Sequence, residues 1–175
     1  RLQGDWSSDV CSSDLLPTLY QAIEIEGEAY WDGGYMGNPV IWPLIYHCDS
    51  RDVLIVQINP IARNELPTTA AEIRNRIDEI TFNSSLMAEM RAISFVTKLL
   101  NDNKLDEKKY KRMLIHRIQS ENRLNKLDAS SKMNAEWDFL TELRDIGYKA
   151  TDQWLRKNWA SVGKRSTLDI HEQYL

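Results

Sequence analysis

Between Asp52 and Pro60 the chain reads Asp-Val-Leu-Ile-Val-Gln-Ile-Asn-Pro, a run whose five apolar residues are mostly β-branched and show almost no alternation. β-Branched side chains suit a pleated backbone. An apolar run without polar alternation predicts a strand buried on both faces, as in a parallel sheet covered by helices. Asn59-Pro60 ends the run.

The surrounding segments supply partners for such a strand. Ile23-Glu24-Ile25-Glu26 alternates apolar and charged residues, Gly27 offers a turn, and Ala29-Tyr30-Trp31 resumes an extended pattern. This predicts a β-hairpin. A short helix is expected around Val40 to Tyr46, limited by Pro43 to about one turn on either side. After Pro67, Thr69 and Glu72 have capping-box spacing. Apolar residues then recur at helical intervals from Ile73 to Leu100. The polar stretch Phe82-Asn83-Ser84-Ser85 interrupts that pattern, so residues 70–100 predict two helices or one bent one. Asn101 to Lys111 reads as a charged, exposed connection. Met113 to Ile118 reads as a further strand, Gln119 to Asn134 as a polar loop, and 135–161 as a last helix. That helix has Asn134 as its N-cap, a stripe of Leu140, Leu143, Ile146, Ala150 and Trp154, and Gly163 as its stop.

Strands alternating with helices indicate an α/β class. At 175 residues, with 42% hydrophobic and 27% charged, the chain suffices for one ordinary domain. Three or four strands are too few for a complete doubly wound sheet, so an N-terminal part is expected to be missing. The net charge of −4 argues against a nucleic-acid partner, which needs clustered Lys and Arg. No run approaches the roughly 20 apolar residues that span a bilayer. The two cysteines, Cys11 and Cys48, are too few for a disulfide framework. A reducing, cytoplasmic setting is the expectation, with Cys48 a partly buried thiol.

Asp5 to Leu15 is polar and of low complexity, without helical or strand period, and resembles the conceptual translation of a sequencing adapter. Residues 1–15 are therefore read as artefactual or disordered, and residues 16–175 as the folded part.

The stretch with the most chemical content is Tyr30-Trp31-Asp32-Gly33-Gly34-Tyr35-Met36-Gly37-Asn38-Pro39. It sets a carboxylate at the end of a strand, followed by two residues without side chains. Glycine permits φ > 0 and close approach of other groups. A carboxylate held there can act as a general base on a hydroxyl presented to it. Strand ends also carry Asp-Gly as ordinary turns, so these three residues alone do not define a site.

Leu16-Pro17, this motif and the Asp52–Pro60 strand together resemble the patatin-like phospholipase family, particularly a bacterial branch. The similarity continues through Asn75-Arg76, Ile80 to Arg91, His116-Arg117-Ile118 and Ser130-Ser131-Lys132 to Asp169. The resemblance implies the C-terminal part of a three-layer α/β/α domain with a C-terminal helical extension. It also implies a lipid acyl hydrolase in which an aspartate takes the proton of a Gly-X-Ser-X-Gly serine directly, without a histidine. On this carry-over Asp32 is the catalytic aspartate, Gly33 and Gly34 complete its motif, and a lipid or phospholipid ester is the substrate. Contact with a membrane surface is a possible accompaniment. Neither a Gly-X-Ser-X-Gly elbow nor a glycine-rich oxyanion turn occurs in the sequence. The chain by itself is therefore expected to be inactive, since nucleophile and base act as a unit. The alternative is a non-catalytic binding or scaffold protein built on a degenerate half-domain.

His47, His116 and His171 share no ligand spacing, so no metal and no organic cofactor is expected. His116 reads as a satisfied structural histidine. Ser84-Ser85 and Ser130-Ser131 read as hydrogen-bonding residues of helix or loop, and Lys104 to Arg112 as a solvated connector. Trp42 is placed in the core in preference to an acyl-chain contact, and Asn38-Pro39 is expected to shape the loop after the motif.

Overall fold

The computed structural model describes residues 21–63, 65–120 and 134–175, with Leu124, Leu127 and Ser131 between the last two stretches. The 1–15 segment with Trp6 and Cys11, the Leu16-Pro17 pair, Ser130 and most of the expected polar loop lie outside the described residues.

The hairpin forms as its alternation predicts. Strand β1 (Ile23–Ile25) pairs antiparallel with β2 (Glu28–Tyr30), Ile23 opposite Tyr30. Glu26 and Gly27, between the strands, both take positive φ, 54° and 83°. This is the backbone of the primed turns that match the twist of a two-residue hairpin. A non-glycine residue at φ > 0 is uncommon, so the turn places its conformational cost on Glu26.

Helix α1 (Trp42–His47) follows the motif loop. Pro43 does not divide it but lies in its first turn, where a missing N–H costs nothing. Strand β3 (Asp52–Gln57) then pairs in parallel with β4 (Leu114–Gln119), from Asp52 opposite Leu114 to Gln57 opposite Gln119. Helix α2 (Ala70–Asn101) joins them, giving a strand–helix–strand unit. Its capping box is complete, with the Thr69 hydroxyl accepting the Glu72 N–H while the Glu72 carboxylate accepts the Thr69 N–H.

Helix α2 is continuous, with no interruption at residues 82–85. The polar side chains there are satisfied without breaking the helix. Asn83 Nδ2 donates to the Pro60 carbonyl at 2.9 Å, Ser84 Oγ donates to the Thr81 carbonyl at 2.7 Å, and Ser85 Oγ accepts the Asn38 N–H. Tertiary partners override a weak local propensity.

The core gathers Ile41, Val53, Ile55, Leu86, Met90 and Ile93 with Ile115 and the C-terminal Leu168 and Tyr174. Strand β3 is buried on one face only, which corrects the sequence expectation. Val53 and Ile55 are covered, whereas Leu54 is 47% and Val56 68% exposed. On the same face β4 is covered at Leu114, His116 and Ile118, with Trp154 of helix α3 (Trp137–Asn158) against His116. The described elements thus cover that side over β4 and leave β3 open.

Helix α3 begins later than expected. Its N-cap is Glu136, without a side-chain cap bond, and Asn134 Oδ1 instead accepts the Glu136 N–H at 2.9 Å. It closes through a 3₁₀ turn, Trp159–Ser161, ahead of Gly163 at φ 75°. A last helix, α4 (Ile170–Tyr174), was not foreseen and packs on α2. Cys48 is exposed, not partly buried, because it caps the end of α1 facing outward from the core. The mixed arrangement of helices and two small sheets is an α/β architecture. Among the described residues no helix is long and apolar enough to cross a membrane.

Candidate functional site

The hairpin delivers Asp32 two residues beyond the end of β2. Asp32 caps a 3₁₀ turn over Gly33–Tyr35, and its Oδ1 accepts the Gly34 N–H at 2.8 Å. Within the turn, Met36 N–H donates to the Gly33 carbonyl at 2.9 Å. Among the described residues the second carboxylate oxygen receives no hydrogen bond, so Asp32 has one oxygen held and one available.

The glycines do not serve as φ > 0 hinges, contrary to expectation, since neither Gly33 nor Gly34 takes positive φ. At Gly34 space is tight. A Cβ there would lie 3.1 Å from Asp32 Oδ1 and 3.2 Å from Phe82 Cε1. At Gly33 a Cβ would meet nothing within 4 Å.

Three residues on one stripe of α2 hold this segment in place. Phe82 packs against Tyr35, ring centroids 5.6 Å apart. Ser85 Oγ accepts the Asn38 N–H at 2.9 Å. Glu89 accepts the Ile41 N–H with both oxygens, at 2.9 and 3.0 Å. Spacings of three and four residues place these side chains above one another on a helix. Asn38-Pro39, a cis peptide, lies between the first and last of these contacts. The turn bearing Asp32 is therefore docked on a rigid element although its own backbone is a loop, an arrangement suited to hold a reactive carboxylate.

The arrangement contains a positioned carboxylate and no partner nucleophile among the described residues. Ser85, the serine bonded to this segment, lies within a helix with its hydroxyl engaged by Asn38. Trp42 is not a core residue, as it is 42% exposed and stacks edge-on with Tyr46. Among the described residues no group of three or more His, Cys, Asp and Glu is placed to hold a metal ion.

An interconnected polar cluster lies elsewhere and was only half anticipated. His116, 1% exposed, bonds Thr167 Oγ1 through Nδ1 at 2.9 Å and Asp52 Oδ1 through Nε2 at 2.9 Å. It is the satisfied structural histidine that its strand position suggested. Its partners lie 51 and 64 residues away, and no local signal could have named them. The Gly163 N–H and then His116 hold the Asp52 carboxyl below its ordinary range.

A buried carboxylate, Glu79, lies between Arg63 and Arg76. Burial pushes it up, and the two guanidiniums more than reverse this, leaving it below the ordinary range. Comparison with family models, with curated proteins and with solved structures finds no match to the chain.

Proposed function

We propose that this chain is the C-terminal part of a patatin-like lipid acyl hydrolase with a three-layer α/β/α sheet. In this reading Asp32 is the base of a Ser–Asp dyad whose serine lies on a segment outside this sequence. The observation that carries the proposal is the state of the Asp32 side chain. One oxygen is fixed by the Gly34 N–H, the other is available, and the turn is docked on α2 at three points. Such a carboxylate has the orientation and the spare lone pairs to take a proton from a serine hydroxyl. An acyl-enzyme would form and be released by water, with the ester of a lipid or phospholipid as substrate and the cytoplasm as setting. The exposed β3 face at Leu54 and Val56 supports the same reading, because a further layer of the parent domain would cover it.

The parent chain, extended upstream in the source DNA to include a Gly-X-Ser-X-Gly elbow, provides the test. Asp32→Ala in that parent should lower kcat on a short-chain phenyl ester by at least about 10³-fold, as loss of one member of a catalytic unit does. Wild-type hydrolysis by Asp32→Ala would remove Asp32 from the mechanism. The absence of any elbow upstream would turn the assignment towards the binding-protein alternative.

A further inference from the structure

Past Glu89 the stripe of α2 that docks the motif loop continues through Ala92, Ile93 and Val96, and there it lines a separate cavity of about 190 Å³. The facing wall comes from α1, and Met113 contributes from just before β4. Two charged groups border this largely apolar space. Glu89 is committed to the Ile41 N–H through both oxygens. The Lys111 ammonium donates to the Ile45 carbonyl at 2.9 Å and to the Cys48 carbonyl. An ammonium has three donors, so one remains uncommitted among the described residues. An apolar cavity of about 150 Å³ accommodates benzene, so this one has room for a chain of about six to eight carbons.

We propose that the cavity binds a medium-chain aliphatic carboxylate, the chain lying against Ile45, Ile93, Val96 and Met113 and the carboxylate meeting Lys111 Nζ. Lys111 supplies the complementary charge, while Glu89 keeps its own charge and is held at the Ile41 N–H by both oxygens. The site goes beyond the hydrolase reading and does not rest on it, since it uses neither Asp32 nor its turn.

Calorimetric titration of this chain with the linear carboxylates from butanoate to dodecanoate, and with 1-octanol, tests the site. Affinity should rise about fourfold per methylene up to about octanoate and then level off. Lys111→Met should weaken octanoate about tenfold and leave 1-octanol unchanged. Lys111→Arg, which keeps the cation and the carbonyl contacts, should retain octanoate binding even if Lys111→Met displaces α1. Ala92→Phe, at an exposed position of α2 beside the cavity, should abolish binding of both ligands with an unchanged thermal midpoint. No binding of octanoate, affinity that climbs through dodecanoate without a plateau, loss of octanoate with Lys111→Arg, or binding indifferent to Ala92→Phe would each overturn the assignment.

Discussion

Asp52 Oδ1 lies 2.9 Å from His116 Nε2 and at the same time accepts the Gly163 N–H at 2.7 Å. One carboxylate oxygen therefore ties the start of β3 to the middle of β4 and to the C-terminal segment. An ionised carboxylate only accepts, so Nε2 carries a proton. The neutral ring then accepts from the Thr167 hydroxyl at Nδ1, and a cationic ring donates to it. The cluster is satisfied in both ring states, and its bonds to Asp52 are strongest while Asp52 is ionised.

That preference contributes to the acid stability. A carboxyl held below its unfolded value of 3.8 contributes stability that is fully present above that pH and is lost as pH falls through the folded value. Urea midpoints should therefore drop below about pH 4 in the wild type, and Asp52→Asn should flatten that limb. An unchanged limb in Asp52→Asn would show that other carboxylates govern it.

Asp52→Ala removes the acceptor of two donors at once, one of them on a fully buried ring. The expected loss is about 2–4 kcal/mol by chemical denaturation. Thr167→Val, which strips the partner from Nδ1 and changes little volume, should cost about 1–3 kcal/mol.

Glu89→Ala would leave the N–H of Ile41, itself 1% exposed, without its acceptor. A loss of about 1–3 kcal/mol is expected. Amide exchange should accelerate first in residues 38–47, because this contact anchors the motif loop and the start of α1 to α2. Uniform acceleration across the chain would argue that Glu89 has no such local role.

Glu79 is 5% exposed and lies between two guanidiniums, with Arg63 Nε at 2.9 Å and Arg76 at 3.2 Å. Glu79→Ala should cost about 3–5 kcal/mol, since it strands paired cations beside the core. Glu79→Gln should cost less, and the difference can be read from unfolding at neutral pH.

At Gly34 an alanine needs only a few tenths of an ångström of yielding from the Asp32 carboxylate and the Phe82 ring. Gly34→Ala should be tolerated at about 1 kcal/mol. Gly34→Leu should undock Tyr35 from Phe82, which the near-ultraviolet dichroism of the aromatic rings would report.

The sequence by itself determined the elements whose causes are local. The alternation around Gly27 gave the hairpin, Thr69 and Glu72 gave the start of α2, and the apolar runs gave β3 and β4. It also singled out Asp32 by the glycines that follow it. The tertiary structure alone decided what lies opposite what. It made α2 one helix, because Asn83 and Ser85 found partners in other segments, and it left one face of β3 open. It turned Gly34 from a conformational requirement into a steric one. It also joined Asp52, His116, Gly163 and Thr167, whose spacing along the chain carries no period that a reader could follow. Propensity and pattern act over a few residues, whereas these pairings depend on how whole elements pack.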